Sequence, residues 1–103
     1  MVTVMVEQSF DTPLSDDSYR KLAARIDPCL DVREAVWCRS YISADRKRIV
    51  CEFEAPDAES VREAMRSAGV PFERVWSAAL LKIEDHPDLL KKREAARARW
   101  KAR

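Results

Sequence analysis

Glycine is nearly absent: Gly69 is the only one in 103 residues. Loops that cradle phosphate, and the dinucleotide fingerprint, need several glycines to bring backbone N–H groups against a ligand, so ATP, GTP and NAD sites of those kinds are excluded. Histidine is as scarce, with His86 alone, and one imidazole cannot build a histidine-rich metal centre. The three cysteines, Cys29, Cys38 and Cys51, are odd in number and form no C-x-x-C pair. That pattern points to reduced thiols in a cytoplasm rather than a disulfide framework. No stretch approaches the roughly 20 apolar residues of a membrane span. The opening MVTVMVEQSF has neither the positive start nor the small-residue cleavage site of a signal peptide, so a cytoplasmic location is expected.

What is present suits one soluble core, with 47% hydrophobic and 36% charged residues. The net charge of +1 gives no overall pull toward nucleic acid or acidic membranes. The charge is uneven, however. Residues 86–103 hold seven Lys/Arg against Asp88 and Glu94, so the basic excess belongs to the tail. The chain therefore divides into a body, 1–85, and a basic helical extension, 86–103. The extension lacks the aromatic interleaving of a nucleic-acid motif, and nucleic acid is not expected as a partner.

Period-two alternation of Val2, Val4 and Val6 predicts a first strand over 2–8. Ser15 or Asp16 can cap a helix carrying Tyr19, Leu22, Ala23 and Ile26 at helical spacing, which Pro28 should stop. Strands at 34–43 and 48–54 flank a turn, Ala44–Lys47. With Ser43 opposite Arg48, each hairpin pair sums to 91. Val36, Cys38, Ser40, Ile42, Ile49, Cys51 and Phe53 then share a small apolar face. Trp37, Arg39, Tyr41, Val50, Glu52 and Glu54 share an aromatic and charged one. Asp57 can cap a second helix with a stripe of Val61, Ala64, Met65 and Ala68, ended by Gly69 and Pro71. A fourth strand is expected over 72–83, and a last helix from about His86-Pro87, with Pro87 in its first turn.

The order β-α-β-β-α-β is that of a ferredoxin-like α+β fold: a four-stranded antiparallel sheet with both helices on one face. The helices need the small apolar face. The other face, with Met5, Glu7, Trp37, Arg39, Tyr41, Val50, Glu52 and Glu54, is too apolar for water and too charged for a core. A second copy packed sheet to sheet would cover it and leave a ligand cleft between the sheets. In that cleft Glu7 is the candidate base, Tyr41 the proton donor and Arg39 the anion clamp. The plainer alternative for Arg39 and Glu52 is a cross-strand ion pair. Trp37, Glu52 and Trp76 are candidate ligand contacts. Any metal would draw on Glu7, Glu52 and His86, the carboxylates supplemented by a partner's copies. Cys51 and Cys38 are expected in the core as small hydrophobes rather than as nucleophiles.

Ser40-Tyr41, Asp45 in the hairpin turn, Cys51 with Glu54-Ala55-Pro56-Asp57, and Gly69-Val70-Pro71 together resemble the pattern of a family of small bacterial domains of unknown function. One branch of that family is described as nickel-binding. The resemblance covers roughly residues 2–80, and an early family glutamate matches Glu7. It implies a ferredoxin-like fold, usually a dimeric α/β barrel, and a small-ligand or metal-ion binding role with nickel as the metal. The alternative is a cofactor-independent isomerase- or monooxygenase-like enzyme using the inter-sheet acid/base residues.

Overall fold

A computed structural model describes residues 1–103. Its elements run β1 (Val2–Ser9), α1 (Asp16–Asp31), β2 (Val36–Ile42), β3 (Arg48–Ala55), α2 (Ala58–Ser67), β4 (Arg74–Ala78), a short 3₁₀ turn (Ile83–Asp85) and α3 (Pro87–Lys101). The strands form one antiparallel sheet in the order β2-β3-β1-β4. The expected α+β architecture is thus the one observed. Val4, Val6, Ile49, Cys51, Phe53, Ala55 and Val75 supply the sheet side of the core, facing Ile26 and Leu30 of α1 and Val61, Ala64 and Met65 of α2.

Local chemistry sets the boundaries. The Ser15 hydroxyl accepts from the Ser18 N–H, and an Asp57 carboxylate oxygen accepts from the Ser60 N–H at 2.7 Å, so each helix begins on a side-chain cap. The Ser60 hydroxyl, together with that backbone bond, holds the Asp57 carboxyl below its ordinary pKa. Gly69 takes the left-handed conformation, φ +67°, that closes α2. In the β2–β3 turn, Arg46 also has positive φ, 61°. It is held there from several sides: its Nε donates to the Leu14 carbonyl at 2.6 Å, and its guanidinium pairs with Asp16 at 2.8 Å. The hairpin turn is thereby pinned to the β1–α1 connection.

Three expected boundaries move. Pro28 does not stop α1, which continues to Asp31. Pro28 and Ala24 both face solvent, so the carbonyl of Ala24 loses only a bond that water can replace. The second strand begins at Val36 rather than residue 34, because Glu34 has φ 57°, outside the strand region. The fourth strand spans 74–78, not 72–83. It pairs only with β1, and that ladder ends at Thr3 opposite Ala78, so Leu80 and Leu81 have no partner strand and are exposed.

The two helices do not sit alike. The α2 stripe is short-chained around Ala64 and Ala68, and this helix approaches β3 and β4 closely. The α1 stripe is bulky, with Tyr19, Leu22, Ile26 and Leu30, and its closest neighbour is α2 rather than any strand. Arg25 of α1 donates to the carbonyls of Ala68 and Gly69 at 2.9 and 3.2 Å, which ties α1 sideways to the end of α2.

Helix α3 stands apart. It has no buried residue, its main contacts are with the 83–85 turn, and Leu89 and Trp100 remain exposed. The radius of gyration is accordingly 17.1 Å, against about 13 Å for a compact chain of this length. Because α3 buries nothing, ending the chain after Asp85 should change unfolding free energy by no more than about 0.5 kcal/mol. Denaturant unfolding of the truncated chain checks this, and a large loss would mean α3 packs on the body.

Candidate functional site

On the face away from the helices, side chains line up in rows across the strands. Arg74, Glu7, Val50 and Tyr41 form one row, and Trp76, Met5, Glu52 and Arg39 the next. Thr3, Glu54 and Val36 follow. The sheet face expected to lack a partner is therefore real, and it mixes exposed apolar groups with charge. Trp76 is 44% exposed and Tyr41 67%.

Two of its carboxylates have partners, while Glu54 and Arg74 have none within the chain. The Trp76 Nε1–H donates to Glu7 Oε2 at 2.9 Å, which fixes the carboxylate from the neighbouring strand. Arg39 and Glu52 are opposite one another and make an ion pair at 3.6 Å, the plainer of the two arrangements considered for them. Glu7 and Tyr41 lie in one row but two strands apart, with Val50 between them. That separation is about 10 Å between backbones, so Glu7, Arg39 and Tyr41 do not form a hydrogen-bonded triad. Glu7 and Glu52 share the face. His86 lies elsewhere, just ahead of α3.

Trp37 is not on this face. The hairpin keeps the expected pairing from Ile42↔Ile49 to Arg39↔Glu52, then slips by one, so that Trp37 faces Phe53 and Val36 faces Glu54. The extra residue is Cys38, a β-bulge on the edge strand. A bulge reverses the alternation for everything beyond it. Trp37 accordingly turns to the helix side, where its ring meets Tyr19 at 5.8 Å between centroids and its Nε1–H donates to the Ser40 hydroxyl at 2.8 Å. Val36 and Cys38, expected in the core, are displaced in the opposite sense. Val36 is 54% exposed, and Cys38 lies near Glu54 and Glu52. Partial burial pushes the Cys38 thiol pKa up, and those two carboxylates push it further.

Under α1, Trp37 becomes a wall of a cavity of about 170 Å³. Leu22, Ile26 and Leu30 form its roof, and Phe53, Cys51 and Met65 lie on the opposite side. Cys51 is buried as expected, and burial pushes its thiol pKa up, opposed in part by the Ser40 hydroxyl. Burial also raises the Tyr19 phenol, again offset in part by Ser40. Gln8, continuing the inward alternation of β1, is 4% exposed; its Nε2 donates to the Pro71 carbonyl at 3.0 Å. The signal for this second locality was in the sequence as the contrast between a bulky α1 stripe and a short-chained α2 stripe.

Two comparisons with known proteins match this chain. A family model described as "Nickel responsive protein SCO4226-like" matches residues 5–77. Among solved structures, that of SCO4226 from Streptomyces coelicolor A3(2) superposes with a TM-score of 0.69 at 15% identity, covering 78% of this chain and 99% of that one. At that identity the likeness shows the fold. No curated protein matches.

The bulge generates a contrast between two aromatic residues of one strand. Trp37→Ala should cost about 1–2 kcal/mol of stability, through the lost Tyr19 contact and buried area. Tyr41→Ala, on the open face, should stay within about 0.5 kcal/mol under conditions that keep the chain monomeric. Denaturant unfolding of both variants decides it, and equal losses would contradict the slipped register.

Proposed function

The chain belongs to the SCO4226-like family of nickel responsive proteins, and from that membership and the open sheet face we propose a small-ligand-binding domain that works as a face-to-face homodimer. The observation that carries this reading is the state of the face itself. It presents Val36, Tyr41, Val50, Met5 and Trp76 together, and two of its three carboxylates, Glu7 and Glu52, already have partners in Trp76 and Arg39. Glu7 holds a hydrogen bond and Glu52 an ion pair, and burying a charge with either kind of partner costs less than burying a bare one. A second sheet can therefore cover this face without stranding Glu7 or Glu52. Packing two such sheets gives a dimeric α/β barrel with a cleft between them, where Glu7, Arg39, Tyr41, Glu52 and Trp76 would line the ligand.

The family's metal is tested by the donor set. Nickel favours imidazole and other strong nitrogen or sulfur donors. No three His, Cys, Asp or Glu side chains converge within one chain. Glu7 and Glu52 are engaged by Trp76 and Arg39, and His86 lies off the sheet. One chain's residues do not fit a nickel centre. A nickel site in this protein would need donors from both copies across the two-fold axis. The acid/base reading, with Glu7 as base and Tyr41 as proton donor, is less well supported, since Val50 separates the two.

Light scattering coupled to size exclusion should find a dimer. Val50→Arg, in the row between Glu7 and Tyr41, should give a folded monomer by placing a long charged side chain, held on the face by Glu7 opposite, where the interface is apolar. A wild-type chain that is monomeric at all concentrations, or a Val50→Arg variant that dimerises undiminished, would overturn the face-to-face assembly.

A further inference from the structure

We propose that the cavity between α1 and the sheet is a second binding site, separate from the inter-sheet cleft, for a small neutral molecule of about one aromatic ring carrying a hydrogen-bond donor. Its volume is about 170 Å³, close to that of apolar protein cavities of about 150 Å³ known to take up benzene. Its lining is mostly hydrophobic, with Leu22, Ile26, Phe53 and Met65 among the walls. The cavity opens to solvent at its mouth, and a ligand of matching shape would displace water from its apolar walls and make dispersion contacts with them.

The polar features of the lining define the ligand more narrowly. Gln8 is almost fully buried, and its amide nitrogen is committed to the Pro71 carbonyl. That bond settles which end of the amide is which, and no donor in the protein reaches the remaining carbonyl oxygen. No buried polar side-chain atom of the protein lacks a partner, so this oxygen is reached by solvent, and a ligand donor would take the place of water there. A ligand hydroxyl or N–H entering the cavity would supply the bond. Charge selects in the same direction. No cation lines the cavity, the only ionisable carboxylate there is Asp27, and burial keeps the Cys51 thiol neutral. An anionic ligand would find no counter-charge.

The site also has a reason to stay open. Its roof, α1, is fastened to the end of α2 through Arg25 and the carbonyls of Ala68 and Gly69. At the edge strand the Cys38 bulge props Trp37 against Tyr19, with Ser40 holding the indole N–H. These contacts define the mouth without filling the interior.

Phenol, benzene and benzoate are the probes, titrated against the full chain by calorimetry and followed by NMR. Phenol should bind saturably and shift signals of Trp37, Phe53 and Met65 while leaving Tyr41 and Trp76 unmoved. Benzene should bind about tenfold more weakly, the equivalent of one hydrogen bond of about 1.4 kcal/mol, and benzoate should not bind. Gln8→Met should lower phenol affinity to that of benzene and leave benzene unchanged. Ala23→Phe, which places a ring in the cavity, should abolish binding of both. Absence of phenol binding to the wild-type chain would overturn the proposal. So would shifts confined to Tyr41 and Trp76, benzoate binding as well as phenol, or undiminished phenol affinity in folded Gln8→Met. The open-face assembly can fail its own test without affecting any of these outcomes.

Discussion

One inserted residue on an edge strand, Cys38, decides which chemistry each side of this sheet carries. Before the bulge the β2–β3 ladder would place Trp37 with the carboxylates; with it, Trp37 crosses to the helices and Val36 and Cys38 cross the other way. The slip costs little, because β2 has a neighbour on one side only and a bulge there leaves few ladder bonds unmade. Its consequences reach both candidate sites. The open face exchanges an indole for a valine and a thiol, and the space under α1 acquires an aromatic wall.

The rest of the architecture follows from unequal helix stripes. Ala64 and Ala68 let α2 settle on β3 and β4, whereas Tyr19, Leu22 and Ile26 hold α1 further out. A helix that cannot settle must be secured otherwise, and Arg25 secures it to α2. The result is a core that is closely filled beneath one helix and hollow beneath the other. On the opposite face the balance is electrostatic. Trp76 holds Glu7 and Arg39 holds Glu52, whereas Glu54 and Arg74 stay without a partner within the chain.

Much of this could be read from residue order. The alternation of Val4 and Val6, and of Ile49, Cys51 and Phe53, identifies the buried face because every charged residue of the two strands (Glu7, Arg48, Glu52 and Glu54) falls on the other one, even though Met5 and Val50 lie there too. Ser15, Asp57 and Gly69 mark helix ends through chemistry that depends on single residues. The bulge had no such mark. Val36, Trp37 and Cys38 are all apolar, so either register buries a hydrophobic residue, and alternation cannot choose between them. The hollow under α1 was hidden for a different reason. It depends on how far a helix stands from the sheet, which is set by bulk on two elements together rather than by any one motif. Pro28 misled because the carbonyl it orphans, that of Ala24, faces solvent, where water replaces the lost bond.

The placement of Trp37 is the point on which both faces turn. Nuclear Overhauser contacts of its assigned indole protons measure that placement directly. The account predicts contacts from Trp37 to the rings of Tyr19 and Phe53. Contacts from Trp37 to the side chains of Arg39 and Glu54, with none to Tyr19, would contradict it.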